Sequence, residues 1–313
     1  EPTARKDLED IVKAAADAGL YTNLITAAVN VKRERLEKLQ ELGLDHVQVS
    51  VQDVTPEGAD RIGAFKNALE NKLEFARWVT ELGMPLTINA PIHRHNIHNV
   101  PRYIDLAVEL GAQRIEIAHA QYYGWAFLNR SALIPTYEET VASIEYVEAA
   151  RERLKGVLTI DMVVPDYYAK RPKPCMGGWG KGFMNITPAG KVLPCHAAES
   201  IPAFDSVRDK KLLDIWMDSD AFNAFRGTDW MKEPCKSCAF KEVDFGGCRC
   251  QAMAITKDPR NTDPACSLSP YHNEMVKIAK QEAARPATEF VYRNTRNAAQ
   301  VGKAHGEELV PAE

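Results

Sequence analysis

The stretch ELGMPLTINAPI, residues 81–92, contains the unit that decides the fold. A helical segment closes at Gly83, a residue suited to the left-handed position that ends many helices, and the β-rich run PLTINAPI (85–92) follows at once. The same order recurs in the rest of residues 1–163. The other closing glycines are Gly19, Gly43, Gly111 and Gly156, and the other runs are LYTNLITA (20–27), DHVQVSVQ (45–52), QRIEIAHA (113–120) and VLTIDMVV (157–164).

Helices that alternate with strands predict right-handed crossovers and a parallel sheet. No G-x-G-x-x-G fingerprint follows any of the runs, so the α/β units favour a TIM-like β/α barrel over a dinucleotide-binding sheet. The units are too few to close an eight-stranded barrel, and we expect a partial one that lacks its N-terminal part. Chemistry in such barrels gathers at the carboxyl ends of the strands. The polar residues predicted there are Thr26, Ser50, Gln52, Asn89, His119 and Gln121.

Composition narrows the function classes. The chain has 313 residues, of which 45% are hydrophobic and 26% charged, enough for one large domain and a smaller one with their own cores. The net charge of −4 gives no basic footprint for nucleic acid or anionic lipid. No apolar run long enough to span a membrane and no signal peptide are found, so we expect a cytoplasmic protein. Cysteines that cluster in that compartment more often bind metal than form disulfides.

The second half of the chain has a different character. After Val164 the helix–strand periodicity stops, and all seven cysteines lie between residues 175 and 266. The run FMNITPAGKVLPC (183–195) predicts a β-hairpin, and residues 211–226 and 271–285 have helical patterns. The expected organisation is a barrel core over 1–165, a cysteine-rich domain over 166–285 and a polar tail over 286–313.

The cysteine spacing points to a metal site. Cys235 and Cys238 form C-x-x-C, Cys248 and Cys250 form C-x-C, and Asp244 stands between the two pairs. A C-x-x-C turn brings two thiolates onto one metal. Spacing alone leaves two possibilities open: one structural zinc ion held by these four cysteines, or a larger set of iron–sulfur ligands that also uses the other cysteines.

The wider pattern resembles the SPASM auxiliary-cluster domain of radical SAM enzymes. Cys175 opens the pattern, Gly190 and Cys195 give G-x4-C, the central run has the order C-x2-C-x5-D-x3-C, and Cys266 closes it. Asp244 occupies the place of a family cysteine. The resemblance implies two auxiliary iron–sulfur clusters, one held by Cys235, Cys238, Asp244 and Cys266, and the other by Cys175, Cys195, Cys248 and Cys250.

The resemblance to radical SAM enzymes also implies a cofactor site in the barrel. Family members hold a [4Fe–4S] cluster on C-x3-C-x2-C after the first strand and use it to cleave S-adenosylmethionine. This chain has no such motif, and its first residues, Glu1 and Pro2, match the second half of the family's G-G-E-P motif. The expected cofactor-binding residues are Glu1, Ser50 and Asn89.

Three segments narrow the resemblance to the family members that act in pyrroloquinoline quinone biosynthesis: LYTNLIT (20–26), DHVQVSVQ (45–52) and AHAQYYGWAFLNRSALIPT (118–136). It implies a carbon–carbon bond between a Glu and a Tyr side chain of the precursor peptide PqqA. Implied partners are the small peptide chaperone PqqD and a flavodoxin-type reductant. Another peptide-modifying SPASM enzyme and a non-catalytic, zinc-stapled binding protein remain as alternatives.

Aromatic and histidine residues supply the remaining candidates. The run PIHRHNIHN (91–99) holds three histidines that could bind a metal, a substrate or solvent, with no carboxylate near them in sequence. The segment that begins at His119 is a better candidate for the substrate pocket. A structural role for His119 is an equally good interpretation. The pocket candidates are His119, Gln121, Tyr122 and Tyr123, and the three histidines of the run are His93, His95 and His98.

Overall fold

A computed structural model describes residues 1–64, 66–121, 124–201 and 204–294. The chain divides into two compact units. The first consists of Glu1–Ala120 with Pro135–Val164, and the second of Gln121–Ile134 with the residues from Pro165 onward. The boundary expected at residue 165 leaves residues 121–134 in the barrel core, whereas the structure groups them with the second unit.

The first unit contains a parallel sheet, and the second contains a small antiparallel one. In the large sheet the strand order β1-β2-β3-β4-β5 follows the sequence, so each helical crossover links neighbouring strands. This is the sheet of a partial β/α barrel, as the alternating pattern predicts. The strands are β1 (Asn23–Thr26), β2 (His46–Ser50), β3 (Leu86–Ile92), β4 (Arg114–His119), β5 (Thr159–Val163), β6 (Asn185–Ile186) and β7 (Val192–Leu193).

Helices belong to both units. Most helices of the first unit are crossovers of the sheet, and the helices of the second unit are short apart from the last. They are α1 (Leu8–Asp17), α2 (Arg33–Glu41), α3 (Pro56–Gly63), α4 (Ala68–Glu81), α5 (Val100–Glu109), α6 (Gly124–Leu128), α7 (Arg130–Leu133), α8 (Tyr137–Arg153), α9 (Leu212–Asp218), α10 (Asp220–Asn223), α11 (Lys241–Asp244), α12 (Arg249–Thr256) and α13 (His272–Ala284).

The two faces of the sheet differ in polarity. One face is apolar and fully buried under the helices, and burial of each such aliphatic side chain contributes about 1.5–3 kcal/mol. The other face carries partly exposed polar side chains at alternate positions. The buried face includes Val47, Val49, Ile88, Ile115 and Ile117, all with 0% exposure.

The glycines that close the helices adopt the conformation expected from the sequence. Gly19, Gly43, Gly83, Gly111 and Gly156 all have positive φ, as the left-handed closing position requires. At one of them space is also restricted, because a Cβ on Gly43 would lie 2.5 Å from the Cβ of Ala16.

The second unit has little regular structure. The predicted hairpin is present as β6 and β7, and the helix predicted over 271–285 is α13. The single helix predicted over 211–226 is wrong in its middle: Ser219 is extended, with φ −66° and ψ 128°, and separates α9 from α10. Helices α11 and α12 were not expected from periodicity, because each is short and lies among the cysteines.

Candidate functional site

Four cysteines of the second unit are mutual neighbours. Cys175 follows Pro174, Cys195 follows β7, Cys248 caps the N-terminus of α12, and Cys250 lies in the first turn of that helix. The side chain of Cys250 lies close enough to those of Cys195 and Cys248 to shift the pKa values of the set. Cys175 is close enough to Cys248 and Cys195 for their charges to act on it. We call these four residues the first ligand set.

The thiols of this set shift one another's pKa values. The hydrogen bond from Cys250 lowers the pKa of Cys195 to about 6, and its bonds to Cys195 and Cys248 raise the pKa of Cys250 well above the ordinary value. Burial, with the charges of Cys248 and Cys195, raises the pKa of Cys175 to about 12. One thiolate is therefore stabilised at the expense of its neighbours. Four thiolates packed this closely, three of them on buried cysteines, require positive charge among them, which bound iron would supply.

An aromatic shell packs against the first ligand set, in one buried cluster with Cys175, Cys195 and Cys250. The Trp179 and Phe225 rings meet edge to face at 5.1 Å, and Phe225 meets Trp230 in the same way at 5.0 Å. The indole nitrogen of Trp179 donates to the carbonyl of Ala221 at 2.9 Å, which fixes the ring. Such a shell limits water access, one of the factors that set the potential of an iron–sulfur group.

A second group of candidate ligands lines one pocket. This pocket lies between the C-x-x-C turn, the end of α11 and the loop before α13. Thr262 Oγ1 lies 3.4 Å from Cys235 Sγ, and the main-chain N–H of Phe240 donates to Cys238 Sγ at 3.4 Å. The four ligand-type residues of the pocket, the second ligand set, are Cys235, Cys238, Asp244 and Cys266.

The arrangement separates the four cysteines of the zinc alternative. Cys235 and Cys238 line the pocket of the second set, whereas Cys248 and Cys250 pack in the first. Within the described ranges, no three His, Cys, Asp or Glu side chains converge as a single metal ion requires. An iron–sulfur cluster distributes its ligands over several iron atoms. The separation of the two pairs does not fit one zinc ion held by all four of these cysteines.

The first unit carries a polar row across its sheet. Ser50, Asn89, Glu116 and Asp161 are register partners on adjacent strands, so the structure brings the expected pair Ser50 and Asn89 side by side. The amide of Asn89 donates to Glu116 Oε2 at 2.9 Å. Arg114 pairs with Asp161 at 2.8 Å. The row lies on the partly exposed face of the sheet, where a barrel binds its ligands.

Glu1 is anchored at the carboxyl end of β1. Its carboxylate accepts hydrogen bonds from Thr26 Oγ1 at 2.6 Å, the N–H of Ala27 at 2.8 Å, and both the hydroxyl and the N–H of Thr3. Burial alone would raise the pKa of Glu1, but these bonds outweigh it and hold the pKa below its ordinary value. The side chain is thus an anionic anchor beside the strand end.

A buried lysine lies at the same edge. Lys72 of α4 is 1% exposed, and its ammonium contacts Gln52 Oε1 just beyond the end of β2. Burial lowers the pKa of Lys72 to about 8, while the charge of Glu1 acts in the opposite direction. The burial of Lys72 could have been predicted from its position, because it lies in the apolar stripe of α4 at helical spacing from Leu69 and Ala76.

The histidine candidates do not converge as a metal site. The N–H of His95 donates to His93 Nδ1 at 3.3 Å, and burial, aided by the charges of His95 and Arg61, lowers the pKa of His93 to about 3. His98 instead lines a separate pocket with Val100 and other residues of α5 and α8. His119 is buried at the end of β4.

The remaining pocket candidates follow β4. The side-chain oxygen of Gln121 accepts the N–H of Asp166 at 3.1 Å, which ties the start of the second unit to the segment after β5. Tyr122 and Tyr123 lie outside the described residues.

Comparison with known proteins identifies the family. Residues 1–107 match the Radical SAM superfamily, and residues 175–239 match SPASM, an iron–sulfur cluster-binding domain. A PqqA peptide cyclase of Methylorubrum extorquens strain PA1 is 59% identical over 296 residues, covering 94% of this chain and 77% of that protein. Another, from Bradyrhizobium diazoefficiens, is 59% identical over 297 residues, or 94% of this chain and 78% of that protein.

This chain belongs to the PqqA peptide cyclase family. It is accordingly a radical SAM enzyme, with S-adenosylmethionine and iron–sulfur clusters as its cofactors. Among solved structures, Streptococcus suis SuiB resembles the chain with a TM-score of 0.63 at 19% identity, covering 85% of this chain and 65% of SuiB. At that identity the likeness shows the fold, and it agrees with the partial barrel followed by a cluster domain.

Family membership gives the two ligand sets their context. The SPASM match begins at Cys175 and includes Cys195, Cys235 and Cys238. Among the residues that the structure describes, no helix of this PqqA peptide cyclase relative is long and apolar enough to cross a membrane.

The sequence analysis did not predict a role for two further residues of the cysteine region. Arg249 is fully buried between Cys248 and Cys250, and Asp263 is buried beside them with its pKa raised to about 6 by desolvation. The sequence around each residue predicts a solvent-exposed loop. Only their closeness in sequence to the cysteines could have indicated a role.

Proposed function

We propose that this chain joins a glutamate side chain to a tyrosine ring in the precursor peptide PqqA, the reaction implied by the names of its relatives. The observation that carries the proposal is the pair of ligand sets, one of them containing Asp244, in a chain 59% identical to PqqA peptide cyclases. The overall change removes two hydrogen atoms from the peptide and forms one carbon–carbon bond.

The cofactors supply radical chemistry that side chains cannot perform. When bound, S-adenosylmethionine and its [4Fe–4S] cluster, given one electron by a reductant, would supply the radical chemistry that removes a hydrogen atom from the glutamate γ-carbon. After the new bond forms to the ring, one electron and one proton must still leave the adduct. We propose that this electron passes to an iron–sulfur group held by the second unit.

The ligand sets divide between two auxiliary clusters. We assign Cys175, Cys195, Cys248 and Cys250 to one cluster and Cys235, Cys238, Asp244 and Cys266 to the other. Support comes from the packing of the first four in one cluster and from the shared pocket of the second four. A carboxylate among soft thiolates makes its iron more exchangeable and gives the two clusters different potentials.

The carboxyl edge of the barrel sheet is the proposed S-adenosylmethionine site. Ser50 and Asn89 offer a hydroxyl and an amide, and Lys72 offers a buried ammonium suited to the cofactor's carboxylate. Glu1 has both carboxylate oxygens bonded to its own chain, so its proposed part is to fix the end of β1 beside that site. The pocket residues His119, Gln121, Tyr122 and Tyr123 remain the proposed contacts of the peptide.

The proposed partners follow from the reaction. They are PqqA, the chaperone PqqD that presents it, and a flavodoxin-type reductant that delivers electrons to the cofactor-cleaving cluster. We propose a cytoplasmic location, which agrees with seven cysteines present as free thiols. SuiB has been solved bound to a precursor peptide, SuiA, and a different peptide substrate is therefore the second candidate for this chain.

The test uses the full-length protein, reconstituted with iron and sulfide under anaerobic conditions. Incubated with PqqA, PqqD, S-adenosylmethionine and reduced flavodoxin, it is expected to yield 5′-deoxyadenosine and a peptide lighter by two hydrogen atoms. Tandem mass spectrometry should locate the crosslink between the glutamate and the tyrosine. Iron-loaded protein that makes 5′-deoxyadenosine and leaves PqqA unchanged would favour another peptide. Colourless protein with zinc and no iron would contradict the radical reaction itself.

A further inference from the structure

Arg249 occupies an unusual place for a charged side chain. It stands between Cys248 and Cys250 in the first turn of α12, and it is 1% exposed, among the largest fully buried side chains of the described residues. No carboxylate oxygen in the described part of the chain lies within 4 Å of its guanidinium. A buried cation is costly unless negative charge compensates it nearby.

The guanidinium is held by main-chain carbonyls. Nη1 donates to the carbonyls of Pro259 and Asn261 at 2.8 Å each, Nε donates to that of Gly247 at 3.3 Å, and Nη2 donates to that of Gly246. Its carbon centre lies 4.8 Å from the centre of the Trp230 ring. The planar guanidinium thus donates to four carbonyls from two loops, an arrangement that the single ammonium of a lysine cannot reproduce.

Both loops lead to members of the second ligand set. Gly246 and Gly247 connect Asp244 to Cys248, and residues 259–261 lead through Thr262 to Cys266. Thr262 itself contacts Cys235 and lines the pocket. Arg249 therefore clamps the segments that bring two of the four pocket ligands into place, although its neighbours in sequence belong to the first set.

Asp263, whose charge interacts with that of Arg249, supplies part of the compensating negative charge, and the ligand sets supply more. Iron–sulfur clusters with thiolate ligands carry net negative charge, which increases on reduction. A permanent cation buried beside them stabilises the more negative, reduced state, and at 1% exposure Arg249 is little screened by solvent. The electrostatic reach of Arg249 extends to Cys175 of the first set and to Cys235 of the second.

We infer that Arg249 is a positioning residue shared by both ligand sets: its fork holds Asp244 and Cys266 in place, and its charge raises the reduction potentials of both clusters. This inference rests on the cluster ligands proposed above. The Arg249 side chain then has two effects. Its geometry acts on the second set, and its charge acts on both sets.

Two substitutions distinguish these effects. Arg249→Lys keeps the charge and loses the fork, so the iron of the second set should be lost on chelation faster than in wild type while the potential of the first cluster stays near its wild-type value. Arg249→Met loses both, so both midpoint potentials should become more negative. Matched controls are Arg226→Lys and Arg226→Met, because Arg226 also donates to a carbonyl, that of Gly180 at 2.9 Å, and stacks on Trp216 at 5.0 Å.

The measurements are iron and sulfide per chain, chelation kinetics and potentiometric titration followed by electron paramagnetic resonance, on reconstituted full-length protein. Should Arg249→Met fail to fold, the chelation rate and the potentials of Arg249→Lys test whether the guanidinium holds the second set in place. Arg249 variants that match the Arg226 controls in all three measurements would overturn the inference and leave the ligand sets intact. Wild-type protein without auxiliary iron would overturn the ligand sets and the inference together.

Discussion

Asp263 and Cys248 are joined by a hydrogen bond in which Asp263 Oδ2 accepts the main-chain N–H of Cys248 at 2.5 Å. The main-chain carbonyl of Asp263 also accepts the N–H of Cys266 at 2.9 Å. One buried residue thus holds a member of each ligand set. Its other side-chain oxygen accepts from Gln251 Nε2 and from the N–H of Ala265.

Replacing Asp263 should weaken both sets at once. In Asp263→Asn one acceptor oxygen becomes a donor, so at least one buried N–H loses its partner at a cost of about 2 kcal/mol in the free energy of unfolding. Urea denaturation of the reconstituted protein measures the loss, and faster iron release to a chelator should accompany it. Asp258→Asn is the control, since Asp258 forms an exposed pair with Lys232 and its loss should cost less than about 1 kcal/mol.

Asp244 is predicted to be an iron ligand. Asp244→Ala should lower the affinity of the second set for its iron at least about 100-fold and leave the spectrum of the first set unchanged. Asp244→Cys should retain the iron because it restores a thiolate at that place. Glu242→Ala, on the same short helix, is the control for general damage to α11. Unchanged iron content and spectrum in Asp244→Ala would show that the ligands are divided differently.

Asn89 is predicted to bind S-adenosylmethionine. Removing its amide in Asn89→Ala should weaken cofactor binding about tenfold, the equivalent of one hydrogen bond of about 1.4 kcal/mol. Isothermal titration calorimetry with S-adenosylmethionine measures the change. The matched control is Gln48→Ala, because Gln48 lies two residues before Ser50 on the same face of β2. Equal losses in the two variants would place the cofactor elsewhere.

Lys72 should make stability depend on pH in the alkaline range. Its pKa falls from 10.5 in the unfolded chain to about 8 in the fold, so between these values the unfolded state binds more protons. Stability from this group is therefore fully present above pH 10.5 and lost as the pH falls through 8, a difference of about 3 kcal/mol. Lys72→Met should remove that dependence.

The measurement is the free energy of unfolding of wild type and Lys72→Met at pH 7.5 and pH 10. Wild type should gain stability relative to the variant as the pH rises. Lys13→Met, which removes an exposed lysine paired with Asp17, should follow wild type. Parallel pH profiles for wild type and Lys72→Met would contradict the predicted burial of the charge.

The sheet could be predicted from the sequence because its signals are local. Each of the β-rich runs became a strand of the parallel sheet, and each glycine that closes a helix has positive φ. The hairpin of β6 and β7 was likewise encoded by its own turn, with Gly190 at φ 90°. The break at Ser219 was missed because the apolar pattern continues across it.

The cysteine region could be predicted only in part, because its contacts join residues distant in sequence. Spacing alone allowed one zinc ion on Cys235, Cys238, Cys248 and Cys250, and it was the resemblance to a known domain that separated them into two sets. Arg249, Asp263 and Lys72 were not predicted. Each looks like an ordinary polar residue until packing buries it, and burial depends on the tertiary fold.

The two ligand sets alternate along the chain, and this has a consequence for how the enzyme matures. Cys175 and Cys195 must wait for Cys248 and Cys250, while the second quartet is complete only when Cys266 has been synthesised. The first set is complete at residue 250 and the second at residue 266, so no stretch shorter than 175–266 holds both sets. Delivery of both clusters should therefore follow translation of the entire segment, and transplanting it into another protein would require moving residues 175–266 as one piece.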